Sequence, residues 1–194
     1  MTPSPSAFRL LYGRTAGDHL PGRLRYDDEG GKSLVADPVS AKVTAATATD
    51  QALMETLQAD SVDGFLQAMD GQAAMTVIAR SARSVDERTR PATIQDLDIY
   101  EVVAAVDTGA GKVVRAKHYC FDAATHMLTR VRYLLGSGES STQVEVSYSG
   151  WTNAGGQAVP GRIERRENGV SAFAVAIHGA GMSAAAKDGV FDQP

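Results

Sequence analysis

Residues Lys112–Ser149 read KVVRAKHYCFDAATHMLTRVRYLLGSGESSTQVEVSYS, three strand-like runs separated by turn residues. In the last run Val144, Val146 and Tyr148 alternate with polar neighbours, which is the period of a strand with one buried face. Short loops join the runs, and a parallel pair needs a crossover of about a dozen residues or more. Neighbouring strands must therefore pair antiparallel, and the stretch predicts a meander.

The same pattern continues on both sides of this stretch, from Asp96 to Ile177. A strand is also predicted at Ala73–Arg80, whereas Ser81–Thr93 is polar and charged and is interpreted as an exposed loop. The strands predicted from Asp96 onward are Asp96–Val106, Lys112–Phe121, Met127–Leu135, Thr142–Ser149, Ala158–Arg166 and Val170–Ile177.

The first part of the chain contains short strands and then one helical segment. Strands are predicted at Phe8–Thr15, His19–Tyr26 and Lys32–Val35, the last two flanking the acidic glycine turn Asp27–Gly31. Apolar residues recur at helical spacing over Asp50–Met69. Thr49 or Asp50 is a candidate N-cap, and Asp60-Ser61 has the character of a second one. Two short helices joined near Asp60 are therefore expected.

These elements predict an α+β fold in one domain spanning residues 1–194, with residues 1–6 as a flexible tail. We expect a strongly curved antiparallel sheet of about nine or ten strands, an open half-barrel, with the helical pair on its concave face. The hydrophobic content of 43% and charged content of 22% are those of an ordinary globular domain.

Composition argues against several classes of partner. The net charge of −4 argues against nucleic acid, and the sequence shows no apolar run of about 18 residues that would predict a membrane span. The start of the chain has no signal-peptide pattern, which predicts either a cytosolic protein or an envelope protein whose signal segment is missing from this sequence. The one cysteine, Cys120, is expected to be a small buried residue.

No motif predicts catalysis, a metal site or a cofactor. The four histidines do not occur at metal-ligand spacing. Gly109–Lys112 resembles a phosphate loop only superficially, because a strand follows it where a phosphate loop needs a helix. We therefore expect no catalytic residue, no metal, no cofactor and no enzymatic activity.

Basic residues lie on neighbouring predicted strands, and two interpretations remain open. They could form cross-strand ion pairs with Glu101, Glu145 and Glu164, or a docking surface for an acidic partner or an anionic lipid headgroup. Acidic neighbours would favour the ion pairs. The docking candidates are Arg115, Lys117, Arg130 and Arg132, with a further group at Arg162, Arg165 and Arg166.

Three segments resemble the periplasmic lipoprotein-carrier superfamily, the LolA/LolB-like proteins. The segment Phe121–Arg130 is similar to the Phe-Asp-x-x-Thr-x-x-Leu-x-Arg hairpin of that group. Val159–Ile163 is similar to its x-Pro-x-Arg-Ile pattern after a glycine turn, and Phe191–Pro194 is similar to its terminal Phe-x-x-Pro. The resemblance covers about half of the chain, from Asp96 to Pro194.

The resemblance implies an open antiparallel barrel with helices at its mouth, which holds acyl chains, lipoproteins or other amphiphiles in its concave face. The expected function is non-enzymatic binding or carriage of such a ligand in the periplasm or at the outer membrane. The alternative is a structural or protein-interaction module of the envelope, with a packed core, a basic docking face and another envelope protein as its partner. The candidate ligand-lining residues are Leu53, Leu57, Phe65, Leu66, Met69, Val144, Val146 and Tyr148.

Overall fold

The computed structural model describes residues 8–13, 23–37, 42–43, 47–70, 74–86, 93–108, 111–136 and 138–180. The tail predicted at residues 1–6 and the Phe191–Pro194 ending lie outside these described residues. The described residues divide into two compact units, one up to residue 67 and one from residue 68 onward.

The first unit is a four-stranded antiparallel sheet followed by helices. The elements are β1 Phe8–Gly13, β2 Arg23–Asp28, β3 Ser33–Asp37, β4 Lys42–Val43, α1 Ala48–Gln58 and α2 Val62–Asp70, with the unit boundary falling inside α2. The strands pair in sequence order, and α1 contacts β3. The three predicted strands are confirmed within the described residues, whereas β4 was not predicted.

The turn between β2 and β3 confirms the predicted hairpin. Asp28 Oδ1 accepts a hydrogen bond from the backbone N–H of Lys32 at 2.9 Å. Gly31 has a φ of 83°, a left-handed conformation that glycine adopts without a steric penalty. The acidic and glycine residues of this turn therefore have structural roles.

The helical segment is divided into α1 and α2, as predicted, and the break falls at residues 59–61. The N-cap of α1 is Thr47 and not the predicted Thr49 or Asp50. Thr47 Oγ1 accepts the Asp50 N–H at 3.1 Å, and the Asp50 carboxylate accepts the Thr47 N–H at 3.1 Å. This reciprocal pair satisfies two N–H groups that the helix leaves unpaired. Ser61 caps α2 as predicted, since its hydroxyl accepts the Gly64 N–H at 3.2 Å.

Asp50 also connects α1 to the β2–β3 turn. Its Oδ1 lies 2.6 Å from Lys32 Nζ, and the Asp50 side chain is buried. The hydrogen bond from Lys32 is the main cause that lowers the pKa of Asp50, with burial opposing it and Thr47 adding to it. The same hydrogen bond raises the pKa of Lys32.

Gly64 allows the first turn of α2 to lie against the end of α1. A Cβ atom at this position would lie 2.6 Å from the Ala59 carbonyl carbon and 2.8 Å from the Gln58 carbonyl oxygen. Both distances are below ordinary van der Waals contact. Gly64 is thus required by packing, although glycine has a low helix propensity.

The second unit contains a seven-stranded antiparallel sheet and a separate two-stranded hairpin. Its strands are β5 Ala74–Asp86, β6 Thr93–Thr108, β7 Gly111–Asp122, β8 Leu128–Leu135, β9 Thr142–Ser149, β10 Thr152–Ala154, β11 Gln157–Val159, β12 Arg162–Glu167 and β13 Val170–Ala176. The order across the sheet is β13-β12-β9-β8-β7-β6-β5, and β10 pairs with β11. The meander is confirmed, and the sheet is open, with β13 and β5 as its end strands.

The predicted loop at Ser81–Thr93 is wrong over its first part, because Ser81–Asp86 continues β5. This segment pairs with β6, with Arg83 opposite Asp96 and Val85 opposite Ile94. β5 is an end strand, where polar side chains stay in water while the backbone pairs on one side only. Polar composition was therefore a poor signal for a loop. Register shifts between Val77 and Ala82 show two bulges in the strand.

The predicted strand Ala158–Arg166 is two strands, β11 and β12, separated at Pro160-Gly161. Proline has no N–H to donate to a ladder. Gly161 lies against Gly150, and its N–H points to the carbonyls of Ser149 and Gly150, both at 3.0 Å. A Cβ atom on Gly161 would lie 2.8 Å from the Gly150 carbonyl oxygen, so this approach requires glycine.

Candidate functional site

The strand residues predicted to line a ligand site lie on one face of the seven-stranded sheet. Val144, Val146 and Tyr148 alternate along β9 and are buried. Val131 of β8 is opposite Val146, and Ile163 of β12 is opposite Tyr148, so both share this face. We call this surface the valine face, and it carries Val131, Val144 and Val146, which have no exposed surface.

The helical candidates differ from one another in exposure. Leu57 and Phe65 are buried, and Leu53 is partly buried. Leu66 and Met69 are exposed, at 41% and 46%. Leu53, Leu57, Phe65 and Leu66 belong to the first unit, whereas the strand candidates belong to the second.

The four docking candidates are divided between the two faces of the sheet. Lys117 is opposite Tyr133, whereas His118 is opposite Arg132. Because side chains alternate along a strand, Arg115 and Lys117 lie on the valine face, and Arg130 and Arg132 lie on the other. No single face therefore holds all four. We call the second surface the ion-pair face, and it carries Arg130, Arg132, Glu145 and Glu164.

Carboxylates accompany the arginines of the ion-pair face. Glu145 Oε2 is 2.8 Å from Arg132 Nε and 3.8 Å from Arg130 Nε. Glu164 pairs with Arg166 at 2.9 Å and with Arg162 at 3.4 Å. These acidic neighbours favour the cross-strand ion-pair interpretation for this face.

Three titratable groups of this face illustrate its electrostatics. Burial would raise the pKa of Glu164, but hydrogen bonding and attraction from Arg166, with help from Ser171 and Arg162, lower it on balance. His118 Nε2 lies 2.9 Å from Glu101 Oε2 on the neighbouring strand.

Cys120 is buried, as expected, and burial raises the pKa of its thiol despite the nearby arginines. A raised pKa keeps the thiol protonated and unreactive.

Cationic groups surround the buried ring of Tyr133 on the valine face. Lys117 Nζ lies 4.5 Å from the ring centroid, Arg115 Cζ 5.5 Å and Arg165 Cζ 5.9 Å. Arg165 Nη1 donates a hydrogen bond to the Tyr133 hydroxyl at 3.0 Å, and its Nε bonds to Glu167 Oε1 at 2.9 Å. We call these five residues the Tyr133 cluster.

Arg165 is the residue whose setting the sequence interpretation missed. The sequence predicts a basic surface residue, as for Arg162 and Arg166, but only 1% of Arg165 is exposed. The alternation of side chains along β12 could have indicated this burial. Arg165 follows the buried Ile163 by two residues, so the two side chains lie on the same face of the strand. Its position opposite Val146 places it on the valine face.

Polarity on the valine face changes along the strand direction. One row of opposite residues crosses four strands of the sheet. It runs from Lys117 on β7 through Tyr133 on β8 and Val144 on β9 to Glu167 on β12. Two to four residues further along the strands, the matching positions hold one cation, Arg165, which is opposite Val146, and otherwise apolar and aromatic side chains. These are Tyr119, Val131, Val146, Tyr148, Ile163 and Val175, and Trp151 stacks on Tyr148 with ring centroids 6.3 Å apart.

The Phe121-Asp122 motif behind the resemblance organises a turn. Asp122 Oδ1 accepts the Thr125 N–H at 2.7 Å, the Thr125 hydroxyl at 2.9 Å and the Ala124 N–H at 3.1 Å. The backbone hydrogen bond from Thr125 is the main cause that lowers the pKa of Asp122. The motif therefore fixes the connection from β7 to β8.

Within the described ranges, no three His, Cys, Asp or Glu side chains come together in a way that would hold a metal ion. Neither α1 nor α2, nor any other described helix, has the length and apolar character needed to cross a membrane. Comparisons with protein-family models, with curated proteins and with solved structures find no match to this chain.

Proposed function

We propose that this protein binds a lipid, a lipoprotein acyl chain or another amphiphile without chemical conversion, in the bacterial cell envelope. In this proposal the seven-stranded sheet curves into an open half-barrel, and its valine face receives the ligand. The observation that carries the proposal is that one face of the sheet holds buried valines together with the cations of the Tyr133 cluster. The resemblance to lipoprotein carriers supports the same class of ligand.

A buried cation on the valine face supports this proposal. Burying a charged group is costly unless partners compensate it, and an apolar residue of similar volume often gives equal or better stability. Arg165 is almost fully buried beside valines, where it bonds to Glu167 and to the Tyr133 hydroxyl. A role in binding the polar end of an amphiphile gives a reason for keeping a cation there.

The apolar part of the valine face would supply most of the affinity. Each buried methylene group contributes about 0.8 kcal/mol, which is roughly a fourfold gain in affinity. The binding constant should therefore rise about fourfold for each methylene added to a short fatty acid. A flat chain-length series would show that the apolar face does not hold the chain.

Native mass spectrometry of the protein purified from a bacterial envelope fraction is the direct test. A discrete mass excess that disappears on denaturation, with a lipid-like value, is the expected result. The control is the same sample stripped of lipid and then incubated with mixed lipids, which should regain the excess. A clean protein mass in both samples would refute ligand binding.

A second candidate is a structural or protein-interaction module, and one observation favours it. The complete burial of Val131, Val144 and Val146 is also the property of a packed core. In that case the apolar face is filled by protein, and function lies at charged surfaces. The expected signature is a clean protein mass together with partner binding that weakens as salt rises.

A further inference from the structure

We propose that the first half of β5 docks a second copy of this chain, and that the two copies join by antiparallel pairing of these segments. We call residues 74–79 the β5 edge. β5 is an end strand of the seven-stranded sheet, with β6 as its one neighbour among the described strands. An end strand presents a row of backbone N–H and C=O groups with which another strand can pair. This association needs no ligand, so it goes beyond the proposed function.

The β5 edge carries a run of exposed apolar side chains. Met75 is 40% exposed, Val77 43% and Ile78 51%. Met75 is opposite Val102 and Val77 is opposite Tyr100, and these two β6 residues are opposite valine-face residues of β7. Met75 and Val77 therefore extend the valine face to the end of the sheet. Apolar surface gains free energy when it leaves water, so this exposure favours a partner here.

The backbone of the β5 edge also points toward such a partner. The Asp96 carbonyl of β6 accepts the N–H of Ala123, just after β7, at 2.8 Å, so the backbone groups of Asp96 point to β7. Successive residues of a strand direct these groups to opposite sides, and β6 pairs with β7 without a register shift. The backbone groups of Glu101 therefore point to β5, where Glu101 is paired with Thr76. The residues on either side of Thr76 must direct their N–H and C=O groups away from β6.

A two-fold axis at Thr76 makes the β5 edge complementary to itself. Pairing two copies about this residue places Met75 of each copy opposite Val77 of the other. Opposite residues whose backbone groups face each other exchange both N–H···O=C bonds, so every outward group of these two residues gains a partner. The same pairing brings the exposed Met75 and Val77 side chains of both copies together on one continuous face, where cross-strand apolar pairs are stabilising.

Charge favours a second copy and limits the contact to the β5 edge. Residues 74–79 are uncharged, so two copies meet without like charges opposite each other. The rest of β5 carries Arg80, Arg83 and Asp86, and register shifts interrupt the strand after Val77. Charges and bulges are features that keep end strands from pairing. An amphiphile at the β5 edge would displace water from the outward N–H and C=O groups without replacing its hydrogen bonds.

Sedimentation velocity of the full chain, stripped of lipid, tests the proposal. The contact involves few residues, so we expect a reversible dimer and not a permanent one. Across total concentrations from about 1 μM to about 1 mM, the sedimentation coefficient should rise toward that of a dimer. Hydrogen exchange at both ends of this range should show the amides of Met75 and Val77 becoming protected as the dimer forms. A monomer at every concentration would overturn the proposal.

Lysine substitutions at the two ends of the sheet locate the interface. Val77→Lys places a charge in the paired segment and should weaken dimerisation at least about tenfold. Met75→Lys is a second variant with the same expected effect. Both side chains are exposed in the single chain, so neither change should alter the urea midpoint much. Val170→Lys is the matched control, because Val170 is an exposed apolar residue of β13, the other end strand, and it should dimerise like the unmodified chain.

An exchange of charges between the copies tests the register. Met75→Glu alone should also weaken dimerisation, because it too places a charge in the paired segment. Mixing Met75→Glu with Val77→Lys brings the new carboxylate opposite the new ammonium group, and opposite charges across a strand pair are stabilising. The mixture should therefore associate more tightly than either variant alone. The absence of any gain on mixing would contradict the pairing about Thr76.

Three other outcomes would also refute the proposal. Unchanged dimerisation in Val77→Lys would place the interface elsewhere on the molecule. An equal loss in Val170→Lys would move the interface to β13 or assign the loss to overall charge. A chain that stays monomeric, but retains less lipid as Val77→Lys than as Val170→Lys, would assign the β5 edge to a ligand and not to a second copy.

Discussion

Replacing Glu145 by glutamine should destabilise the second unit much more than the same replacement of Glu164. Glu145 Oε2 lies between Arg132 Nε at 2.8 Å and Arg130 Nε at 3.8 Å. The Arg130 side chain is only 8% exposed, whereas that of Arg132 is 46% exposed. The variant therefore removes a carboxylate from beside one buried and one exposed cation.

The expected cost is about 2 kcal/mol. Removing the carboxylate beside the buried Arg130 costs about 1–3 kcal/mol, and losing the exposed ion pair with Arg132 adds about 0.2–1 kcal/mol. Glutamine keeps one acceptor oxygen near Arg132, so the lower part of the combined range applies. In a chain of 194 residues, this corresponds to a fall in Tm of about 4–8 °C.

Glu164→Gln is the matched control, since Glu164 lies on the same face and also serves two arginines. Those arginines, Arg162 and Arg166, are 53% and 33% exposed, so solvent screens both pairs. We expect a loss below about 1 kcal/mol. The only tryptophan, Trp151, lies in the second unit and reports its urea unfolding by fluorescence. Equal losses in the two variants, or a loss under about 0.5 kcal/mol for Glu145→Gln, would refute the reasoning.

Two further predictions concern the first unit. Gly64→Ala should cost about 1–3 kcal/mol in urea unfolding, because the new Cβ would overlap the carbonyl group of Ala59. Gly179→Ala should be close to neutral, because a Cβ there would have no neighbour within 4 Å among the described residues. The stability supplied by the Asp50–Lys32 pair should be present at neutral pH. Because the pKa of Asp50 is lowered, its contribution is complete above the unfolded value near 3.9 and is lost as the pH falls through the folded value. Because the pKa of Lys32 is raised, its contribution is complete below about 10.4 and is lost as the pH rises through the folded value. Urea midpoints measured across the pH range should show both losses of stability. Asp50→Asn should lower the midpoint at pH 7 and reduce the pH dependence at both the acid and the alkaline end. An unchanged pH profile in that variant would contradict the pairing.

The alternation of apolar and polar residues predicted those strands that have one buried face and one face exposed to solvent. β9 was predicted with its observed limits, Thr142–Ser149, because apolar and polar residues alternate there throughout. The second half of β5 was missed because an end strand needs no apolar face to pair. The three-residue strands β10 and β11 are too short for a period to be visible.

The candidate site was less predictable because it depends on register between strands. Alternation within a strand indicates that Arg115 and Lys117 share a face, and likewise Arg130 and Arg132. Only the pairing of Lys117 with Tyr133 shows that the two pairs lie on opposite faces. The contact between Arg165 and Tyr133 joins residues 32 positions apart, a distance over which sequence spacing carries no information.

The close approach of Gly150 and Gly161 makes the β10–β11 hairpin a side branch of the sheet. Ser149 is already paired with Arg162, so every ladder of the seven strands is complete without the hairpin. Changes in the length of the branch need not be transmitted to the sheet, which makes its exposed tip at Gly155-Gly156 a natural point for inserting a tag or a reporter. The same independence would let this branch diverge between relatives while the sheet stays constant.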